Sequence, residues 1–378
     1  MNRVHYARQK RLLSLLQKNP TIELQLVVGG SVLLDKYGER FLPAIEQEGF
    51  HVNDALYNVI EGGNHITMAK TAGLTALEFS NSLHKLDPDI VIIRGDRFEQ
   101  LAIAMVAAYL NKTIAHIEGG DVTGTIDESV RHAITKLSHV HFVTNDAARK
   151  RVIQMGENPL SVFHVGSPDI EFASLIKKKI DPDAINGVGT GHVIDFKKPY
   201  LMVMFHPVTT EKDNRLHMET LLETVDSLGV QTVWFWPNSD AGTNEMAKAI
   251  RMYRESGTLK NNKIKFVTDI LPEHFISLLR GASVLIGNSS AGIKESSYLG
   301  IPVVNIGTRQ NNRLKAENVL DVGYEGKEIA RAINDQLTHR QYAPSNLYFK
   351  ANTSKQMVEV LSNIPLQSQK KFYDGTIS

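Results

Sequence analysis

Short apolar runs alternate along most of the chain with segments whose apolar positions recur every three to four residues, the pattern of strands joined by crossover helices. Runs at residues 22–28, 89–94, 113–117, 140–144 and 162–165 predict five strands, and runs at 199–205, 231–236, 263–267, 283–287 and 302–306 predict five more. Such alternation builds parallel sheets wrapped by helices, so the predicted class is α/β with two Rossmann-like halves. Between the two sets lies "SPDIEFASLIKKKIDPDAINGVGTGHVIDFKKP", residues 167–199, rich in Gly, Asp, Lys and Pro. It reads as an interdomain connection with the boundary near residue 168. The glycines of "NGVGTGH" follow no strand and read as linker, not as a dinucleotide-binding fingerprint. Two such halves facing each other form a cleft at the carboxyl ends of both sheets, where these folds bind ligands.

The beginning departs from this pattern. A doubly wound domain opens with an apolar strand, whereas here the first residues read as a loop feeding a helix from about Val4 to Gln17. The first strand of the N-terminal domain is therefore expected to be missing from this chain.

Composition narrows function more than fold. The chain has 378 residues, 42% hydrophobic and 22% charged, enough for two domains with ordinary cores. Its 42 basic and 41 acidic residues leave a formal charge of +1, which argues against nucleic acid or an anionic membrane as partner. An anionic ligand must be met locally. The absence of cysteine excludes disulfides, thiolate nucleophiles and cysteine-ligated metal. The start "MNRVHYARQKRLL" lacks the apolar core of a secretory signal, and the expected location is the cytoplasm.

Three carboxylates stand at element ends in the first half. Asp96 follows the strand "DIVIIRG" and precedes a helix; Glu118 follows "TIAHI" and is succeeded by Gly119 and Gly120; Asp127 opens the helix of "TGTIDESVRHAITKL". Singly, each has an ordinary explanation: a helix cap for Asp96, a glycine turn at Glu118, and a capping box of Thr125 with Glu128 around Asp127. Together, on consecutive units of one sheet, they suggest an acid/base cluster, with the glycines admitting a ligand close to the backbone. The tripeptide Arg94-Gly95-Asp96 sits at a buried strand end, which argues against an adhesion role. His116, His132, His139 and His141 invite a metal site, but His139 and His141 share one face of a predicted strand and His116 sits within another, so they read as packed core histidines rather than metal ligands.

The second half offers phosphate chemistry. "LIGNSSAGIKESSYLGIPVVNIGTR" runs strand, small polar turn, helix, strand, so Ser289, Ser290 and the helix-start amides suit a diphosphate. Glu295, one turn in, suits a ribose diol, and Arg309 a phosphate. His206 in "MVMFHPVTT" and Asn238 in "WFWPNSDAG" end two further strands of the same half.

The ordered set "NRVHYAR", "RGDRFE", "HIEGGDVTGTIDESVRHAITKL", "FHPVTT", "PNSDAG", "GNSSAGIKE" and "NIGTRQ" resembles the hydrolysing UDP-N-acetylglucosamine 2-epimerases of sialic acid biosynthesis. The likeness spans nearly the whole chain. It implies a GT-B-type fold of two facing Rossmann-like domains, at 1–168 and 169–351, with a C-terminal helix in 352–378 crossing back to the first domain. It implies Asp96, Glu118 and Asp127 as acid/base residues and Arg3 and Arg97 as site-lining cations. His206, Asn238, Ser289, Ser290, Glu295 and Arg309 match the positions that hold UDP. His5 and Ala7 depart from the family's first loop, which usually carries an acid and a serine or glycine there. The implied activity needs a UDP-sugar as partner, no cofactor and no metal, in a homodimer or homotetramer. The expected reaction converts UDP-N-acetylglucosamine to N-acetylmannosamine and UDP. Alternatives are the same reaction on UDP-N,N'-diacetylbacillosamine, a non-hydrolysing epimerase, a UDP-sugar glycosyltransferase, and a UDP-sugar sensor without turnover.

Overall fold

The computed structural model describes residues 3–34, 41–238, 240–255, 261–366 and 369–375, with the side chains of 3–5 and 7 outside the described part. The chain divides into two compact units: Met1–Asp121 with Ile126–Phe172 and Phe349–Ser378, and Val122–Thr125 with Ala173–Tyr348.

The first unit opens with helix α1 (Arg3–Gln17), followed by β1 (Leu26–Gly29), α2 (Phe41–Gln47), β2 (Val52–Leu56) and α3 (His65–Leu86). Then come β3 (Ile90–Arg94), α4 (Phe98–Tyr109), β4 (Thr113–Ile117), α5 (Ile126–Leu137), β5 (Val140–Val143), α6 (Asp146–Gln154), β6 (Val162–His164) and α7 (Pro168–Leu175). Asn64 starts α3 with a reciprocal capping box, its side chain accepting from the Thr67 amide at 3.0 Å. All pairings are parallel, but the sheet falls into two pieces, β1-β2 and β3-β4-β5-β6. Strand periodicity sorts the core. Val91 and Ile93 of β3 pack with Phe79 and Leu83 of α3, while Ile90 and Ile92 face the cluster holding Leu12 and Leu16 of α1.

The second unit runs α8 (Pro182–Asn186), β7 (Thr190–Gly191), β8 (Leu201–Met204), α9 (Asn214–Ser227), β9 (Thr232–Phe235), α10 (Thr243–Glu255), β10 (Ile264–Val267) and α11 (Pro272–Gly281). It continues with β11 (Val284–Gly287), α12 (Ser290–Ile293), α13 (Glu295–Leu299), β12 (Val303–Ile306), β13 (Val319–Val322) and α14 (Gly326–His339). Its seven strands lie in the order β13-β12-β11-β8-β9-β10-β7, parallel except for β7. Leu201, Val203 and Phe205 point into one core layer and Tyr200, Met202 and Met204 into the other, as expected of a strand buried on both sides.

The last helix, α15 (Thr353–Asn363), belongs to the first unit. Glu171 accepts from the Ser354 amide at 3.0 Å, and Thr353 Oγ1 donates to the Val165 carbonyl at 2.7 Å. Beyond it, Lys370 donates to the Ser138 carbonyl at 2.9 Å and reaches Glu157 at 2.7 Å.

All ten apolar runs hold strands, though the run expected at 22–28 pairs only from Leu26. Three further strands, β2, β7 and β13, have no counterpart in the apolar pattern. Each lies at a sheet edge, where polar side chains such as Asn53, Asp54 and Asp321 are tolerated and the periodic signal is diluted. The stretch read as linker is also structured. Gly191 and Thr190 pair antiparallel with Lys265 and Phe266, so "NGVGTGH" closes a sheet edge.

Candidate active site

Two of the first-unit candidates, Glu118 and Asp96, pair with buried arginines. Arg94 ends β3 and is 5% exposed; its Nη2 donates to Glu118 Oε2 at 3.3 Å and also to Asp169. Arg8 of α1 reaches the other Asp169 oxygen at 3.2 Å. Burial alone would push the Arg94 guanidinium down, but Asp169 and Glu118 outweigh it and hold the pKa above its ordinary range. Glu118 is further fixed by Ser167 Oγ, which donates to Oε1 at 2.7 Å. Its backbone sits at φ 69°, a left-handed conformation unfavourable for a residue with a side chain, held by its amide bond to the Phe142 carbonyl at 2.8 Å.

The second arginine, Arg131 of α5, is 1% exposed. It pairs with Asp96 and donates to the Asp121 carbonyl at 2.7 Å. Asp96 is thus tied to α5, and the N-cap position of α4 is Arg97. Asp127 lies in the first turn of α5, four residues before Arg131 and so on the same helix face. Arg97 pairs with Glu99 at 3.4 Å. Arg3 lies in α1, and its side chain is outside the described part, as are those of His5 and Ala7.

Gly119 and Gly120 stand where the backbone packs closely. A Cβ on Gly119 would come within 2.8 Å of Thr135 Oγ1, and one on Gly120, at φ 82°, within 2.5 Å of the Ala148 carbonyl oxygen. The glycine pair lets the turn after β4 press against α5 and α6.

The histidines have protein partners. His116 Nε2 lies 2.9 Å from the Gly95 carbonyl, which it meets as donor, and Nδ1 lies 3.1 Å from Thr135 Oγ1. His141 Nε2 faces Glu157 at 3.1 Å, and the Ile114 amide donates to His139 Nδ1 at 3.1 Å. Among the described residues there is no group of three or more side chains suited to a metal ion. Burial pushes the His116 imidazole down to about 4 from an ordinary 6.5. Above pH 6.5 the ring is neutral in folded and unfolded chains alike. As pH falls from 6.5 towards 4 only the unfolded chain takes up the proton, so stability is lost across that window, by roughly 3 kcal/mol. Denaturant midpoints of the parent should fall between pH 7 and 4.5, and His116→Gln should flatten that part of the profile.

In the second unit the candidates follow parallel strands at one sheet edge. The strand order turns between β8 and β11, the position where doubly wound sheets bind ligands. Gly287 makes the close approach there possible: at φ 128° it takes a conformation unfavourable for other residues, and any Cβ would run into the Met204 carbonyl of β8. The next residue, Asn288, binds His206 twice, accepting from its amide and donating to its carbonyl, each at 2.8 Å. His206 Nδ1 accepts from the Asn238 amide at 3.2 Å, which leaves Nε2 as the protonated, donating nitrogen. Arg309 donates to the Asn288 carbonyl at 3.2 Å and lies 3.8 Å from Asp240, which also accepts from Asn238. Ser289 caps α12, accepting from the Ala291 amide at 3.3 Å, so its hydroxyl proton can still be donated. Ser290 begins α12, and Glu295, 1% exposed, begins α13. The Gly124 amide donates to the Arg309 carbonyl at 3.1 Å, fixing the loop that carries this arginine.

Several central residues were not singled out from the sequence: Arg131, Asp121, Ser167, Asp169, Asp240 and Asn288. Ser167 and Asp169 lie in the stretch taken as interdomain connection, although an acid just beyond a strand was the signal used for Asp96 and Glu118. Arg131 was legible as the residue one turn after Asp127.

Parallel Rossmann-like units with polar side chains at the carboxyl edges of their strands place the chain in the GT-B-like α/β class, which it shares with its structural neighbours. The chain matches the family described as UDP-N-acetylglucosamine 2-epimerase over residues 14–362. It is 31% identical over 368 residues to the UDP-N,N'-diacetylbacillosamine 2-epimerase (hydrolyzing) of Legionella pneumophila, covering 97% of this chain and 95% of that protein. It is also 31% identical over 379 residues to a UDP-N-acetylglucosamine 2-epimerase of Neisseria meningitidis serogroup B, covering 98% and 97%. In structure it is similar to UDP-GlcNAc 2-epimerase from Neisseria meningitidis bound to UDP-GlcNAc, with TM-score 0.76 and 18% identity over 95% of this chain and 97% of that one. The chain belongs to the UDP-N-acetylglucosamine 2-epimerase family and is an enzyme of the epimerase class. No helix among the described residues is long and apolar enough to cross a membrane.

Proposed function

We propose that the protein is a hydrolysing 2-epimerase that converts UDP-N-acetylglucosamine to N-acetylmannosamine and UDP, in sialic acid biosynthesis. The C2 proton passes to a carboxylate as the C1–O bond to UDP breaks, leaving a glycal. Water then adds its hydroxyl at C1, and a proton returns to C2 on the opposite face, giving the free 2-epimer. Asp96, Glu118 and Asp127 carry these proton transfers, with Arg97 and Arg3 as neighbouring cations. His206 Nε2, Ser289, Ser290 and Arg309 hold the diphosphate, and Asn238 and Glu295 the remainder of UDP. The observation that carries the hydrolytic form is the 31% identity, over 97% of the chain, to a relative named as hydrolyzing. That same relative motivates a second reading in which UDP-N,N'-diacetylbacillosamine is the substrate.

Incubation with each UDP-sugar in heavy water tests both readings. The expected product is a free sugar with deuterium at C2, released together with UDP, from one donor much faster than from the other. A product still joined to UDP would assign the non-hydrolysing reaction, and original hydrogen retained at C2 would exclude elimination. The phosphate assignment is tested separately. Ser290→Ala should weaken UDP binding by roughly 1 kcal/mol or somewhat more, about five- to ten-fold in Kd by calorimetry. Unchanged affinity would remove Ser290 from the site.

A further inference from the structure

The sheet of the first unit is interrupted at the place where that of the second is continuous. In the second unit the parallel strands run β10-β9-β8-β11-β12-β13, so the first strand in sequence order, β8, lies in the middle. The first unit follows the same order in two pieces, β2-β1 and β3-β4-β5-β6, and among the described residues no strand occupies the position equivalent to β8. Among the described residues β1 pairs only with β2, and β3 only with β4. A cavity of about 670 Å³ lies there, with Leu26, Val27 and Gly29 of β1 and residues 90–92 and Arg94 of β3 on its wall. Apolar side chains from α1, α3 and α15 complete it, including Leu12, Phe79, Leu83 and Leu361. Among the described residues, four buried polar atoms on this wall have no hydrogen-bond partner: Gln25 Oε1, Ser82 Oγ, and Nε and Nη1 of Arg94. Ser82 is 2% exposed and Arg94 5%. Buried polar groups are ordinarily bonded, so four orphans on one cavity mark contacts that an occupant supplies.

We propose that the cavity is a strand-docking slot that takes one extended, apolar peptide segment of about five residues, parallel to β1 and β3 and with basic residues at its leading end. Two strand edges present backbone donors and acceptors that an extended chain satisfies and a compact apolar ligand does not. Apolar side chains on both sides of the slot call for apolar residues at successive positions. The polarity follows from charge. Glu23, Asp87 and Asp89, all exposed, lie where β1 and β3 begin, and Arg94 and Arg97 lie where β3 ends. A parallel occupant meets the acids with its first residues. The strand in the equivalent place of the second unit has this sequence character: Lys197 and Lys198 precede "LMVM". The occupant's last residues reach the end of β3 beside Arg94, so docking stiffens the segment that carries Asp96.

The test adds the synthetic peptide KKVIVIV-amide to the full chain, with KKVPVPV-amide as a control of equal charge whose prolines remove ladder donors. The expected result is saturable one-to-one binding by calorimetry and a raised melting temperature. Amide exchange should slow in both 26–29 and 90–94, and the proline peptide should bind at least ten-fold more weakly. Equal binding of the two peptides would overturn the proposal, as would slowed exchange at only one of the two strands or no slowing at all. Decanoate excluding the peptide and protecting neither strand would assign the cavity to a small apolar ligand. Concentration-dependent protection of both strands in the chain alone would assign it to a second copy. Either outcome overturns the peptide slot.

Discussion

Replacing Asp96, Glu118 or Asp127 by its amide should each lower turnover by about 10²–10⁴-fold while UDP affinity stays within two- to three-fold of the parent. The amides keep size and much of the hydrogen bonding but cannot exchange a proton at neutral pH. The three replacements differ in what else they disturb. Glu118→Gln weakens the pair with Arg94, and Asp96→Asn the pair with Arg131, so both should also melt lower. Asp127→Asn removes a carboxylate from the first turn of α5. Turnover, UDP titration and melting temperature on all three variants separate chemistry from folding. Parent-like turnover in any variant would remove that residue from the proton-transfer set.

Arg94→Met should destabilise the first unit by about 3–5 kcal/mol, because Glu118 and Asp169 would be left buried without the cation between them. The size follows from burial: Arg94, Glu118 and Asp169 are 5%, 8% and 4% exposed, so water cannot replace the lost partner. Denaturant titration should show the loss at pH 7, and the gap between parent and variant should narrow as pH falls and the stranded carboxylates take up protons. A loss below about 1 kcal/mol would mean that Arg8, 3.2 Å from Asp169, carries the balance instead.

The sequence disclosed the central strands because they are buried on both sides and read as uninterrupted apolar runs, as at "IVII" and "VLIG". It hid the edge strands, whose exposed positions hold polar residues such as Asp321. The acids beyond β3 and β4 were visible from their address alone, yet their partners were not. Nothing in linear order links Arg94 to Asp169, 75 residues away, or Asp96 to Arg131, 35 residues away. The packing role of Gly119 and Gly120 was hidden for the same cause: the groups they press against, Thr135 of α5 and Ala148 of α6, are distant in sequence. Metal-like histidine spacing and core histidines look alike in a strand, and only the Gly95 carbonyl and Thr135 hydroxyl around His116 tell them apart.

Residues 349–375 bear on how the protein is made. The Ser354 and Thr353 bonds, and the Lys370 bonds beyond them, belong to the first unit, whereas the second unit is almost wholly contained in residues 173–348. On the ribosome, the second unit is therefore complete before the first. The N-terminal part waits, with the bonds of Ser354 to Glu171 and of Thr353 to the Val165 carbonyl not yet formed, while the next stretch emerges, on the order of 10 s at the usual pace of synthesis. During that interval the apolar groove that later receives Met357 and Leu361 is open to chaperones and to other nascent chains.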